Sequence, residues 1–236
     1  MIVSSRVDHQ VVTITLDSPA NRNALSRRLV DELMSALAEA GADDSVHAVL
    51  LTHTGPAFCS GAALDEMGGS DPGRGTGNML SLIRQLLTLP VPVVALVDGA
   101  TRAGGLGLLG GCDIVLASPR STFAFTEVRL GLAPAIISLP LRPVLAARAM
   151  SRYFLTGETF DAAEAASIGL VSAVSSDASP VLDALRRADR QGLVATKPLT
   201  TRSRLEALDD GDAMVALSAR LFASPVAQAH LAARKG

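Results

Sequence analysis

An α/β fold is predicted for this chain, and three stretches predict it. Val11–Leu16 (VVTITL) is rich in β-branched residues, and Leu29, Leu33 and Leu37 then recur at helical spacing behind Ser26. His47–His53 (HAVLLTH) returns to an apolar strand pattern, so strand, helix and strand follow one another and imply a sheet with helical crossovers. A third stretch, PVPVVALVDG, reads as the buried strand Val91–Val97 and breaks into the glycines of ATRAGGLGLLGGCDIVLAS.

The remaining elements follow in chain order. Ser26 can cap a helix running to about Ala40, with Gly41 past its end. Residues 68–78 (GGSDPGRGTGN) hold five glycines and one proline and are expected to form a mobile loop. A helix over about Asn78–Leu89 precedes the strand Val91–Val97, and short strands are expected at Asp113–Ala117 and Ser121–Ala124. From Leu141 the chain reads as mainly helical. Asp161 and Glu164 form a D-x-x-E capping box that stops near Gly169, and Leu170–Val174 fits a small strand. Ser179-Pro180 opens another helix, and residues 198–234 read as two or three amphipathic helices. The expected organisation is a core over 1–190 and a C-terminal helical oligomerisation region over 191–236.

Composition excludes several functions. Hydrophobic residues are 48% of the 236, but aromatics only 3% with no Trp, so the core must be built from Ala, Val, Leu and Ile. Base-stacking platforms for single-stranded nucleic acid are missing, and a net charge of −2 argues against a polyanion surface. Two cysteines make no disulfide framework. The N-terminal stretch lacks the layout of a signal peptide, and no apolar run reaches the ~18 residues of a membrane span. A cytoplasmic protein without nucleic-acid or membrane partners is expected.

A strand that breaks into glycines as a helix begins leaves backbone N–H groups free to face an anion. Gly105-Leu106-Gly107-Leu108-Leu109-Gly110 spells G-x-G-x-x-G, but seven residues separate Val97 from Gly105, so a dinucleotide fingerprint is rejected. Cys59 and Ser60 lack a histidine in a recognisable arrangement and read as small residues in a tight turn. No metal-ligand spacing is present. Glu127, in FAFTEVRLG, reads by itself either as a surface carboxylate or partner of Arg129, or as a group that moves a proton.

Five segments, in order, resemble the crotonase superfamily, the enoyl-CoA hydratase/isomerase family. SPANRNALS (Ser18–Ser26) resembles its N-terminal coenzyme A segment, and AFCSGAALDEM (Ala57–Met67) its first oxyanion-hole segment. VPVVALVDGATRAGGLGLLGGCDIVLAS resembles the family signature, and FAFTEVRLGLAPAI and LTGETFDAAEAASIGLVSAV the segments after it. The resemblance implies a spiral of β-β-α units with two near-perpendicular sheets, then helices that build homotrimers, often paired as hexamers. It also implies an acyl-CoA thioester substrate, coenzyme A being part of the substrate and no cofactor being needed. The N–H groups of Ala62 and Gly104 are then expected to bind the thioester oxygen and Glu127 to act as acid and base. Arg22, Ala24, Ser60 and Leu64 join Ala62 and Gly104 as substrate-binding candidates.

Four departures stand out, one of them Gly110 in place of the usual larger residue on the signature helix. The first of the two glutamates of the best-known family hydratases falls on Gly107, and only the second, Glu127, is present. One carboxylate suffices for Δ3-to-Δ2 isomerisation, while the GGLGL and TEVRLGLAPA segments also resemble a hydratase subgroup with glycine at the first position. Ala63 replaces an Asp that ties down the oxyanion loop, and the ending AHLAARKG leaves Arg234 and Lys235 as candidate phosphate contacts. Hydration of a 2-enoyl-CoA is the first expectation, isomerisation the second, and thioester hydrolysis or decarboxylation the third. A catalytically impaired acyl-CoA-binding member is the reading from outside enzymology.

Overall fold

The computed structural model describes residues 1–63, 66 and 72–233, with only the backbone described over 72–76. The chain opens with a hairpin, β1 (Val3–Asp8) and β2 (Val11–Leu16), paired antiparallel across His9 and Gln10. Both turn residues have positive φ (43° and 67°), the geometry of a two-residue turn matched to strand twist. The sequence hides this strand because neither turn residue is glycine and Ser4, Ser5 and Arg6 are exposed.

Helix α1 (Arg27–Ala42) starts where expected, with the Ser26 hydroxyl accepting the Leu29 N–H, and buries Leu29, Leu33 and Leu37. Gly41 lies inside this helix rather than beyond it, and Asp43 is the C-terminal cap. Strands β3 (Ala48–His53) and β4 (Ala57–Cys59) follow. The next helix, α2 (Pro72–Thr88), begins six residues before Asn78. Residues 72–78 are therefore helical, contrary to the loop expected over 68–78, while 68–71 lie outside the described residues. A buried face containing Leu82, Ile83 and Leu86 outweighs the poor helix propensity of the glycines in the first turns.

Strands β5 (Val93–Val97) and β6 (Ala100–Arg102) lead into α3 (Gly104–Gly111), then β7 (Ile114–Ala117) and β8 (Thr122–Ala124). A 3-10 turn over Thr126–Leu130 precedes α4 (Ala135–Leu141) and α5 (Ala147–Thr156). The two-residue strand β9 (Phe160–Asp161) leads into α6 (Ala162–Ser167), where Asp161 accepts the Glu164 N–H. The other half of the capping box does not form, because the Glu164 carboxylate accepts the Tyr153 hydroxyl at 2.7 Å. Only Ala173–Val174 of the expected 170–174 strand pairs, as β10. Helices α7 (Ser179–Arg187), α8 (Arg190–Ala207), α9 (Gly211–Phe222) and α10 (Pro225–Ala232) complete the chain.

Among the described residues the strands form two sheets. One runs β1-β2-β3-β5-β7-β10 and is parallel beyond the first hairpin; the other runs β4-β6-β8-β9, parallel except for its last pair. Helices α8 and α9 pack on α2 and α4 rather than standing free. A buried ion cluster holds this contact. Lys197, 4% exposed, lies 2.9 Å from Asp113 and donates to the carbonyls of Leu86 and Val91. Arg204 donates to the carbonyls of Gly110 and Cys112, the C-terminal end of α3, where a cation complements the helix dipole. No helix among the described residues is long and apolar enough to cross a membrane.

Candidate active site

Three neighbouring parallel strands, β4, β6 and β8, end on the same side of the smaller sheet, where open α/β sheets present ligand sites. Just past them come Ala62, Gly104 and Glu127. All three line one cavity of about 160 Å³, so the sheet's register converts distant sequence positions into neighbours.

The first two ends touch. Gly61 has φ +93°, and a Cβ there would stand 2.9 Å from the Ala103 Cβ and 3.4 Å from the Gly104 nitrogen, so only glycine lets the loops approach. A Cβ on Gly104 would lie 3.8 Å from the Ala62 nitrogen and 3.0 Å from Leu25 Cδ1. Ala103, the residue before α3, has φ 48° and ψ −120°, a sparsely populated conformation of the kind held by surrounding structure at functional sites. Its N–H is anchored to the Ala124 carbonyl of β8. Gly104 is the first residue of α3, where amides have no intrahelical acceptor and carry the positive end of the helix dipole.

The loop after β4 is tied down without an aspartate at Ala63. The Leu25 N–H donates to the Gly61 carbonyl at 2.8 Å, and a parallel bridge joins Leu25 to Ala62. Glu66 then accepts the Arg27 N–H at 2.8 Å, fastening the loop to the start of α1. Buried Asn23 completes the scaffold, with its side-chain amide donating to the carbonyls of Thr54 and Ala57 and its oxygen accepting the Ser18 N–H.

Glu127 sits in the turn after β8, steadied by Phe125, whose ring lies 4.4 Å from that of Phe154. The residue as a whole is partly exposed, but its Oε2 is buried and has no hydrogen-bond partner among the described residues. Loss of water around the carboxyl pushes its pKa up from 4.5 to about 7. No ion pair with Arg129 is formed among the described residues. Burial likewise pushes the Cys59 thiol up to about 12, in keeping with the rejection of a nucleophile there.

The family model of enoyl-CoA hydratase/isomerase matches residues 6–236. The chain belongs to this family. A solved enoyl-CoA hydratase from Mycobacterium avium is 43% identical, covers 99% of this chain and 96% of its own, and superposes with a TM-score of 0.91. A Thermus thermophilus protein provisionally named an enoyl-CoA hydratase is 32% identical over 220 residues, 88% of this chain and 87% of its own length. A solved enoyl-CoA hydratase from Bacillus halodurans, at 22% identity and a TM-score of 0.92 over 99% of this chain and 100% of that one, shows likeness in fold alone. The α/β architecture is the crotonase fold.

Against that family, the packing at Gly107 is informative. A Cβ there would lie 2.6 Å from both Ile137 Cγ2 and Met79 Cε, so these side chains fill the space in which a first glutamate would project. Of the other expected substrate-binding residues, Ser60 lines the cavity. Arg22 does not line it, being exposed with its carbonyl accepting the Ser60 N–H, and Ala24 is buried away from the cavity wall. Leu64, Arg234 and Lys235 lie outside the described residues. Sequence reasoning missed Arg27 at the start of α1, Glu66 in the loop after β4, and Met79, Ile137, Ser218 and Phe222 on three later helices. The Ser26 cap was a usable signal for Arg27. Nothing local marks the others, which enter the cavity only through helix packing.

Proposed function

We propose that this chain hydrates the 2,3 double bond of an enoyl-CoA thioester, with Glu127 as its single acid and base. The Ala62 and Gly104 N–H groups hold the thioester oxygen, and the carbonyl's polarisation draws electrons from the double bond. Glu127, ionised, takes a proton from water as the oxygen bonds to C3, and electron density moves to the thioester oxygen. The resulting enolate takes that proton back from Glu127 at C2, giving a 3-hydroxyacyl-CoA and returning Glu127 to its starting state. A pKa near 7 suits both halves of this cycle, since the group is neither too weak a base nor too weak an acid at neutral pH. Each oxyanion donor in such a site is worth about 3 kcal/mol in the transition state.

The observation that carries this reading is the buried, partnerless Glu127 oxygen on the cavity that Ala62 and Gly104 also line. Crotonyl-CoA provides the test. Loss of enoyl-thioester absorbance with solvent ¹⁸O entering the product is expected, and Glu127→Gln should slow it about a hundredfold or more. A Glu127→Gln enzyme running at the wild-type rate would refute the assignment. Arg22, beside Ser60 at the rim, is a candidate contact for the coenzyme A phosphates, and a homotrimer or hexamer is the assembly the family suggests.

One feature favours a second reading. The wall over Gly107 is apolar, so one carboxylate must do all proton transfer there. Moving a proton between C4 and C2 of a 3-enoyl-CoA needs no more than that. Turnover of 3-hexenoyl-CoA to the 2-enoyl ester, without ¹⁸O uptake, would identify the isomerase. Binding of CoA esters without any turnover would identify the impaired member.

A further inference from the structure

We propose that Met79 and Ile137 form a removable floor that limits the length of acyl chain this cavity admits. The inference rests on reading the cavity as an acyl-CoA site. Gly107 and Gly110 lie one turn apart on the face of α3 that meets α4. A Cβ on Gly107 would be 2.6 Å from Ile137 Cγ2, and one on Gly110 would be 2.9 Å from Pro140 Cγ. The two glycines thus let α4 lie directly against α3, with Ile137 pressed into the slot over Gly107. Met79 reaches the same slot from α2, with its terminal methyl 2.6 Å from that Cβ position.

Both side chains line the cavity, whereas Gly107 beneath them does not. A ligand on this side therefore meets Met79 and Ile137 instead of helix α3. The two halves of the floor differ in stiffness. Ile137 is β-branched and buried where α4 meets α3, so its side chain has little rotameric freedom. Met79 presents an unbranched thioether whose end can swing aside. Shortening both opens the cavity down to the bare glycine face of α3, and an alkyl chain gains room in proportion to the atoms removed.

The test measures affinity by calorimetry for butanoyl-CoA and octanoyl-CoA, saturated esters that cannot react by either route proposed above. In the double variant Met79→Ala/Ile137→Ala, the affinity for the octanoyl ester relative to the butanoyl ester should rise tenfold or more. Met79→Ala and Ile137→Val alone should each raise it at least twofold, and they carry the test should the double variant not fold. An unchanged ratio in cooperatively folded variants overturns the floor and leaves the acyl-CoA site standing. Failure of every form, wild type included, to bind either ester overturns both.

Discussion

Replacing Glu127 with Gln should stabilise the protein at alkaline pH and leave it nearly unaffected in acid. In the native state the carboxyl is held at about 7, against an ordinary value of 4.5, because burial removes water and outweighs the opposing hydrogen bond from the residue's own backbone N–H, while Oε2 has no partner among the described residues. A carboxyl with a raised native pKa binds its proton more tightly when folded, so stability is highest below about 4.5 and falls as pH rises toward 7. Beyond that the loss is complete. Each pH unit of the interval is worth about 1.4 kcal/mol, which makes the full effect about 3 kcal/mol. Glutamine fills the same volume, carries no charge and does not titrate. Urea unfolding of both proteins at one concentration, from pH 4.5 to 8.5, gives the difference directly, and titrations common to both cancel. The variant's advantage should grow by about 3 kcal/mol across that range while its activity is lost. A difference that stays flat with pH would show that the carboxyl is solvated in the native state, and the matched acid and base role would go with it.

Three other outcomes follow from the packing. Gly107→Glu should destabilise by about 1–3 kcal/mol, read as a lower urea midpoint, because its Cβ overlaps Ile137 and Met79. It should not raise hydratase activity, since the slot has no room for the carboxylate. Lys197→Met should cost about 3–5 kcal/mol in the same assay, because it leaves Asp113 buried with Arg204 no nearer than 3.6 Å. Native protein should resist thiol reagents at pH 8, with Cys59 and Cys112 both held up to about 12 by burial, and both should label on denaturation.

Legibility in the sequence tracked how local the cause was. The apolar strand runs of β2, β3, β5 and β7, the Ser26 cap and the Asp161 cap can each be read within a few residues, and each forms. Where a distant surface competed, local reading failed. Glycines 73, 75 and 77 suggested a loop, yet the buried face further along α2 extends the helix over them. Gly41 looked like a stop, yet α1 continues to Ala42.

By itself the sequence determined the alternation of strands and helices and the five ordered segments of the family, while a role for Glu127 came only with the resemblance. Those properties depend on residue type and short spacing. Only the tertiary structure decided that Ala62, Gly104 and Glu127 face one cavity, because that depends on three strand ends aligning in a parallel sheet. It alone decided that the vacancy at Gly107 is filled by Ile137 and Met79, and that Glu66 fastens the loop that Ala63 cannot. Such contacts join elements far apart in the chain, and the packing that creates them leaves no periodic trace in either partner.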